Sequence, residues 1–174
     1  MTKDKELKIV DEYLNYQKIY QEKYGKNTVI FMEVGHFFEM YAIENPETLI
    51  KITDILGIQL TRKNKSKSEI SHSNPYMAGV QKFTVKKFIN ILLDNLYTII
   101  LVEQVTPKPN IIRKVTQIIS PGTFLDDTET PKTNYIMSIV IEEVSNYKDP
   151  NKGLSFGWSM IDLSTGYNII HESF

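Results

Sequence analysis

The chain has 174 residues, 41% of them hydrophobic and 24% charged, a balance that suits one moderate domain or a small domain plus part of another and excludes wholesale disorder. No apolar stretch approaches the roughly 20 residues that span a bilayer, and Met1-Thr2-Lys3-Asp4-Lys5-Glu6 lacks the apolar core of a secretory signal, so a soluble, intracellular protein is expected. Cysteine is absent and His36, His72 and His171 are scattered, which excludes disulfides and thiolate chemistry and gives no expectation of a metal site; the net charge of -1 decides nothing about a polyanionic partner.

Residues 4–24 carry Leu7, Val10 and Leu14 with Tyr13, Tyr20 and Tyr24 at helical spacing among charges of both signs, and Gly25 follows as a stop. This predicts an amphipathic helix. Thr28-Val29-Ile30-Phe31-Met32-Glu33-Val34 is β-branched, apolar and short, and ends at Gly35, which predicts a buried strand. Phe37-Phe38-Glu39-Met40-Tyr41 then puts three aromatics and an acid just past a glycine, where a turn is normally polar. A well-marked helix follows, with Asn45 as cap, Pro46 at the first helical position, Glu47 in the first turn and Gly57 past the end.

Ile58 to Thr61 reads as a short strand leading into a solvated basic loop, Arg62-Lys63-Asn64-Lys65-Ser66-Lys67-Ser68, and Tyr76 to Val80 as its return strand in a long hairpin. The window from Thr61 to Lys87 holds seven basic side chains against the single acid Glu69. Residues 84–97 predict the clearest helix, with Val85, Phe88, Ile89, Leu92, Leu93 and Leu96 on one face, Thr84 as cap and Phe83 stapled to Phe88. Strands from Thr98 to Val105 and from Ile111 to Ile119 complete an α/β fold, a mixed β-sheet packed with helices, over residues 1–120. Residues 121–134 read as an acidic, proline-containing linker, and residues 135–174 as three strand-like runs, Tyr135 to Val144, Leu154 to Leu163 and Tyr167 to His171. About forty residues make a poor domain, so the second unit is expected to be incomplete.

An aromatic beside a carboxylate, just beyond a strand-ending glycine and on the same chain as a basic loop, suggests a wedge. A protein that detects a local fault in a DNA duplex can press a flat ring between base steps from the minor groove, because a mispair unstacks more cheaply than a sound pair, while a nearby acceptor bonds the displaced base. The plainer readings are a core aromatic at a strand end for Phe37 and a surface acid or helix-start partner for Glu39. Phe38, Met40 and Tyr41 are assigned to packing, Asp162 to a structural role, and Glu103-Gln104 to satisfying neighbouring backbone.

Gly35-His36-Phe37-Phe38-Glu39-Met40-Tyr41 resembles the Gly-x-Phe-Tyr-Glu-Leu-Phe segment of the MutS family of DNA mismatch-repair proteins. Further likenesses follow in order. Tyr76-Met77-Ala78-Gly79-Val80 is similar to the family's Pro-Met-Ala-Gly-Ile, Glu103-Gln104-Val105 to Glu-Gln-Ile/Val, and Arg113-Lys114-Val115 to Arg-Lys-Val. Ser120-Pro121-Gly122-Thr123 resembles Thr-Pro-Gly-Thr, and Ile161-Asp162-Leu163-Ser164-Thr165-Gly166 resembles the Leu-Asp-Ile-Ser-Ser-Gly that opens the family's connector domain. The spelling around Phe37, with the AT-rich coding bias implied by 18 Lys to 2 Arg, is similar to the branch found in large DNA viruses.

The resemblance implies a mismatch-recognition domain at 1–120 and the start of an RNase H-like connector domain at 135–174. It implies that Phe37 stacks on a mismatched or unpaired base of duplex DNA from the minor groove, and that Glu39 bonds that base. From the residues themselves, Arg62, Lys63, Lys65 and Lys67 are candidate phosphate contacts that position without reading sequence. His36 stands where the family commonly has Asp, and a titratable ring beside the wedge is a possible modulator. Gln81-Lys82-Phe83 replaces the family's Pro-Tyr-His, which removes any expectation of a contact inherited from that turn. No G-x-x-x-x-G-K-[ST] loop occurs, so ATP and Mg²⁺ are expected to belong to an ATPase region C-terminal to this chain, which itself has no catalytic residue and no cofactor. A homodimer of the longer protein is also implied, with no membrane partner. The rival readings are a module used only for protein contacts, in which Phe37 would be buried, and a metal-dependent nuclease-like domain, for which Asp162 is the sole acid to hand.

Overall fold

In the computed structural model, residues 3–122, 135–146 and 149–173 are described. They fall into two units, Met1–Pro121 and Gly122–Phe174. Most of the expected linker, residues 123–134, lies outside the described residues.

The first unit is built on β1 (Thr28–Val34), whose residues are buried along nearly its whole length. A strand with no polar face must be covered on both sides, and this one is. It pairs antiparallel with β2 (Phe37–Ala42) and parallel with β5 (Thr98–Gln104). β4 (Tyr76–Gln81) and the two-residue β3 (Thr61–Arg62) extend the sheet beyond β2, and β6 (Arg113–Ile119) closes the other edge, in the order β3-β4-β2-β1-β5-β6. Helix α1 (Lys3–Tyr24) covers one face through Val10 and Tyr13, the Tyr13 ring meeting Tyr41 edge-on at 5.3 Å. Helices α2 (Glu47–Leu56) and α3 (Val85–Asp94) pack together on the other through Leu49, Ile52, Ile89 and Leu92. The mixed sheet between helices is the expected architecture.

The α2 start follows its sequence signals: Pro46 has helical dihedrals, Asn45 Oδ1 accepts the Glu47 N–H at 3.0 Å, and Gly57 ends the helix at φ 63°. The hairpin pairing β3 with β4 also forms, although its first strand begins at Thr61 rather than Ile58. The start of α3 differs from expectation. Lys82–Thr84 form a 3-10 turn, Thr84 Oγ1 donates back to the Gln81 carbonyl at 3.0 Å instead of capping, and Phe83 points into solvent rather than stapling to Phe88. Leu96 leaves the expected apolar face because α3 stops at Asp94, and Leu96 is an exposed turn residue at φ 62°.

The second unit is a three-stranded antiparallel sheet, β7 (Tyr135–Asn146), β8 (Asp149–Asp162) and β9 (Asn168–Ser173), in sequence order. Asp162, buried in the β8–β9 turn, accepts bonds from Ser164 N–H (2.9 Å), Ser164 Oγ (2.6 Å) and Thr165 Oγ1 (2.9 Å), the structural role expected of it. Among the described residues no helix is long and apolar enough to cross a membrane.

Candidate nucleic-acid interface

β1 and β2 are joined by two residues, Gly35 and His36, between the paired Val34 and Phe37. Gly35 has φ 64° at the first turn position, where a II′ hairpin demands glycine. The tightness of this turn makes Phe37 the first residue of β2 and sets the strand's alternation: Phe37, Glu39 and Tyr41 share one face, Phe38, Met40 and Ala42 the other. The second set is core, with Phe38 only 1% exposed and its ring 6.3 Å from that of Phe31. Along the first set, cover is lost step by step. Tyr41 is buried under Tyr13, Glu39 is half-buried, and Phe37 is 43% exposed.

Glu39 has a defined electrostatic setting. Burial pushes its carboxyl above the ordinary value, while the Tyr41 hydrogen bond and the charges of Lys63 and Arg113 pull it partly back. The Tyr41 hydroxyl donates to Glu39 Oε2, and burial together with the adjacent carboxylate raises the Tyr41 pKa, so it remains a donor at neutral pH. Among the described residues Oε1 accepts no hydrogen bond, which leaves an acceptor beside the exposed ring. Across the β2–β4 ladder Glu39 faces Gly79, where an added Cβ would lie 3.2 Å from the Phe38 carbonyl oxygen and 3.4 Å from Glu39 Cγ. A strand glycine at such a point keeps the flank of the carboxylate clear.

The basic loop is organised rather than merely solvated. Buried Asn74 accepts the Asn64 N–H at 2.7 Å and donates to the carbonyls of Lys67 (3.3 Å) and Glu69 (2.7 Å), arching the loop around itself. Lys63 is half-buried, with its N–H on the Pro75 carbonyl at 3.1 Å, and is the loop cation whose charge acts on Glu39. Arg62 turns back onto the loop, Nη1 donating to the Ser68 carbonyl at 3.2 Å, while Lys65 and Lys67 stand exposed near the tip. The fold therefore gathers Phe37, Glu39 and Lys63, and leaves Arg62, Lys65 and Lys67 as an outlying charged arch. His36 is exposed in the β1–β2 turn, its carbonyl accepting the Lys82 N–H at 2.9 Å.

Residues not foreseen as part of the site hold this end of the sheet. Glu33, the residue before Val34, is buried; its Oε1 lies 2.7 Å from Lys82 Nζ, and its Oε2 accepts the Gln104 N–H at 3.0 Å. Its carbonyl accepts from Gln104 Nε2 (3.1 Å) and from Arg113 Nε (2.8 Å). The Arg113 side chain is itself buried, with Nη1 3.6 Å from Glu12 Oε2. The Gln104 bond bears out the reading of that residue as a backbone partner. A lone acid in an apolar strand was the available signal for Glu33; nothing local marks Arg113 or the hydroxyl role of Tyr41.

The sequence profile of the family described as MutS domain I matches residues 14–128. A DNA mismatch repair MutS homologue of Acanthamoeba polyphaga mimivirus is 29% identical over 163 residues, covering 92% of this chain and 14% of that protein. The DNA mismatch repair protein MutS of Streptococcus mutans is 30% identical over 172 residues (95% of this chain, 17% of that protein), and that of Listeria welshimeri 30% over 165 residues (91% and 16%). The chain thus spans only about a sixth of the length of these relatives, 14% to 17%. A profile match over most of the chain, centred on the sheet that carries Phe37 and Glu39, identifies the chain as a member of the MutS domain I family.

Proposed function

We propose that this chain is the fault-sensing module of a longer MutS-type DNA mismatch-repair protein. Phe37 enters the minor groove and stacks on a mispaired or unpaired base, and Glu39 accepts a hydrogen bond from that base. The observation that carries this reading is the split between neighbouring phenylalanines, 43% exposed at Phe37 against 1% at Phe38, with the exposed ring in the same row as Glu39. An apolar ring held in solvent on a rigid turn is ready to stack, and stacking tolerates any base, which suits a reader of many kinds of fault. Discrimination comes from the DNA, since the kink that admits the ring is cheaper where pairing is already weak.

Glu39 fits the acceptor role because its desolvated carboxyl, raised in pKa, can take up or share a proton beside the phosphates instead of being repelled by them. Lys63 offsets the charge of Glu39, and Lys65 and Lys67 with Arg62 supply non-specific phosphate attraction. ATP and Mg²⁺ are assigned to a region of the longer protein outside this chain, as is homodimer formation. Use for protein contacts alone is disfavoured by the exposure of Phe37, and a nuclease role by the engagement of Asp162 in its own turn. The test is competition between a duplex with one G·T mispair or one extra base and its sound counterpart, for the parent protein and for Phe37→Ala. Loss of preference in the variant is expected; full preference in the variant would remove the assigned reader.

A further inference from the structure

Tyr41 lies two residues after Glu39 in β2, so both side chains rise from the same face of the strand. Its ring is 1% exposed and is held edge-on against Tyr13 of α1, with centroids 5.3 Å apart at 83°. A phenol has few rotatable bonds, so the position of its hydroxyl is dictated by the core that grips the ring. That hydroxyl donates to Glu39 Oε2. Glu39 is the more flexible of the two, and its ladder neighbours, Met32 on β1 and Gly79 on β4, carry no side-chain donor that could hold it. The other groups facing the pair are Lys63 from the basic loop and Arg113 from β6, which act on Glu39 through charge. Arg113 is itself engaged elsewhere, its Nε on the Glu33 carbonyl at 2.8 Å and its Nη1 3.6 Å from Glu12 Oε2.

We propose that Tyr41 is a positioning residue for the reading carboxylate: its hydroxyl holds Oε2, so that Glu39 meets the displaced base through Oε1 alone, from a direction set by the protein core. This rests on the reading of Glu39 as the base contact and adds the group that aims it. The Gly-x-Phe-Tyr-Glu-Leu-Phe segment of the family ends in Phe where this chain has Tyr41, so the hydroxyl is a device of this chain rather than of that pattern. Fixing one oxygen before DNA arrives removes part of the ordering cost of the contact. The bond also favours the ionised carboxylate, and so draws the Glu39 pKa down against the effect of burial. Burial raises the pKa values of Tyr13 and Tyr41, so both stay protonated where Glu39 titrates.

The test is a double-mutant cycle on the whole protein that carries this chain: parent, Tyr41→Phe, Glu39→Ala and the double variant, each titrated with a G·T duplex and its sound counterpart. Tyr41→Phe keeps the buried ring, and a thermal melt close to the parent's is expected to verify the fold. It is expected to lower the preference for the mispaired duplex by roughly 3- to 10-fold, the worth of one hydrogen bond, with affinity for sound duplex unchanged. In the Glu39→Ala background the same change is expected to be silent, which a general weakening of the sheet would not be. The preference that depends on Glu39, taken as the ratio to the Glu39→Ala protein so that titration of His36 cancels, is expected to titrate at higher pH in Tyr41→Phe. Full preference in Tyr41→Phe, an equal loss in both backgrounds, or a midpoint that stays or falls overturns the positioning role. If Glu39→Ala loses preference while Tyr41→Phe keeps it, only the role of Tyr41 falls. If Glu39→Ala itself keeps full preference, the base contact falls and the role of Tyr41 with it.

Discussion

The two faces of β2 are made from nearly the same residue types and meet opposite surroundings. Phe38 and Met40 are buried in the core, whereas Phe37 and Glu39, one position out of phase, are exposed and half-buried. Composition does not separate a packing aromatic from an exposed one. What separates them is the face of β2 each occupies, and a shift of one residue in the tight Gly35-His36 turn would exchange their surroundings.

The largest expected effect tests the packing face. Phe38→Ala removes a fully buried ring and should destabilise the first unit by about 3–5 kcal/mol, read as a lower urea midpoint at unchanged slope, whereas Phe37→Ala should cost well under half of that. Equal losses would dissolve the contrast. On the reading face, Phe37→Ala should reduce the preference for faulty over sound duplex by roughly 5- to 150-fold, the equivalent of about 1–3 kcal/mol of lost stacking, while Phe38 variants that still fold keep their preference.

Glu39 sharpens the comparison in a second way. Glu39→Gln should lower the preference for mispaired DNA more than total binding; equal losses on both duplexes would contradict base contact. Because burial holds the Glu39 pKa above its unfolded value, the stability linked to this group is complete below the unfolded pKa and is lost as pH rises through the folded pKa. Glu39→Gln should therefore melt higher than the parent at neutral pH, with the gap closing toward acid pH. A gap that widens on acidification would reverse the assigned sign. The smallest effect belongs to the arch: Lys65→Gln with Lys67→Gln should lower the salt slope by at most about 1.8, at roughly 0.9 per phosphate contact, and leave mispair preference intact.

Much of the scaffold was legible because its signals are local. The apolar run of β1, the cap and stop residues of α2 and the stripe of Ile89, Leu92 and Leu93 each specify their element within a few positions. Phe37 and Glu39 were legible as an anomaly, apolar and acidic residues where a turn should be polar. What was hidden is non-local. Glu33 finds its partners in Lys82 and Gln104, 49 and 71 residues away, and Arg113 reaches the Glu33 carbonyl across 80. Asn74 turns a string of lysines into an arch through backbone bonds that no periodicity announces. The expected staple of Phe83 failed for a related reason: the residues before the cap form a 3-10 turn, Lys82–Thr84, that leaves the Phe83 ring in solvent.

The most direct measurement places 4-fluorophenylalanine at position 37 or at position 38 and follows the ¹⁹F resonance during titration with mispaired and with sound duplex. The account predicts a ring-current displacement at position 37 with mispaired DNA, a much smaller one with sound DNA, and no displacement at position 38 with either. An unmoved signal at position 37, or equal displacement by both duplexes, would contradict it.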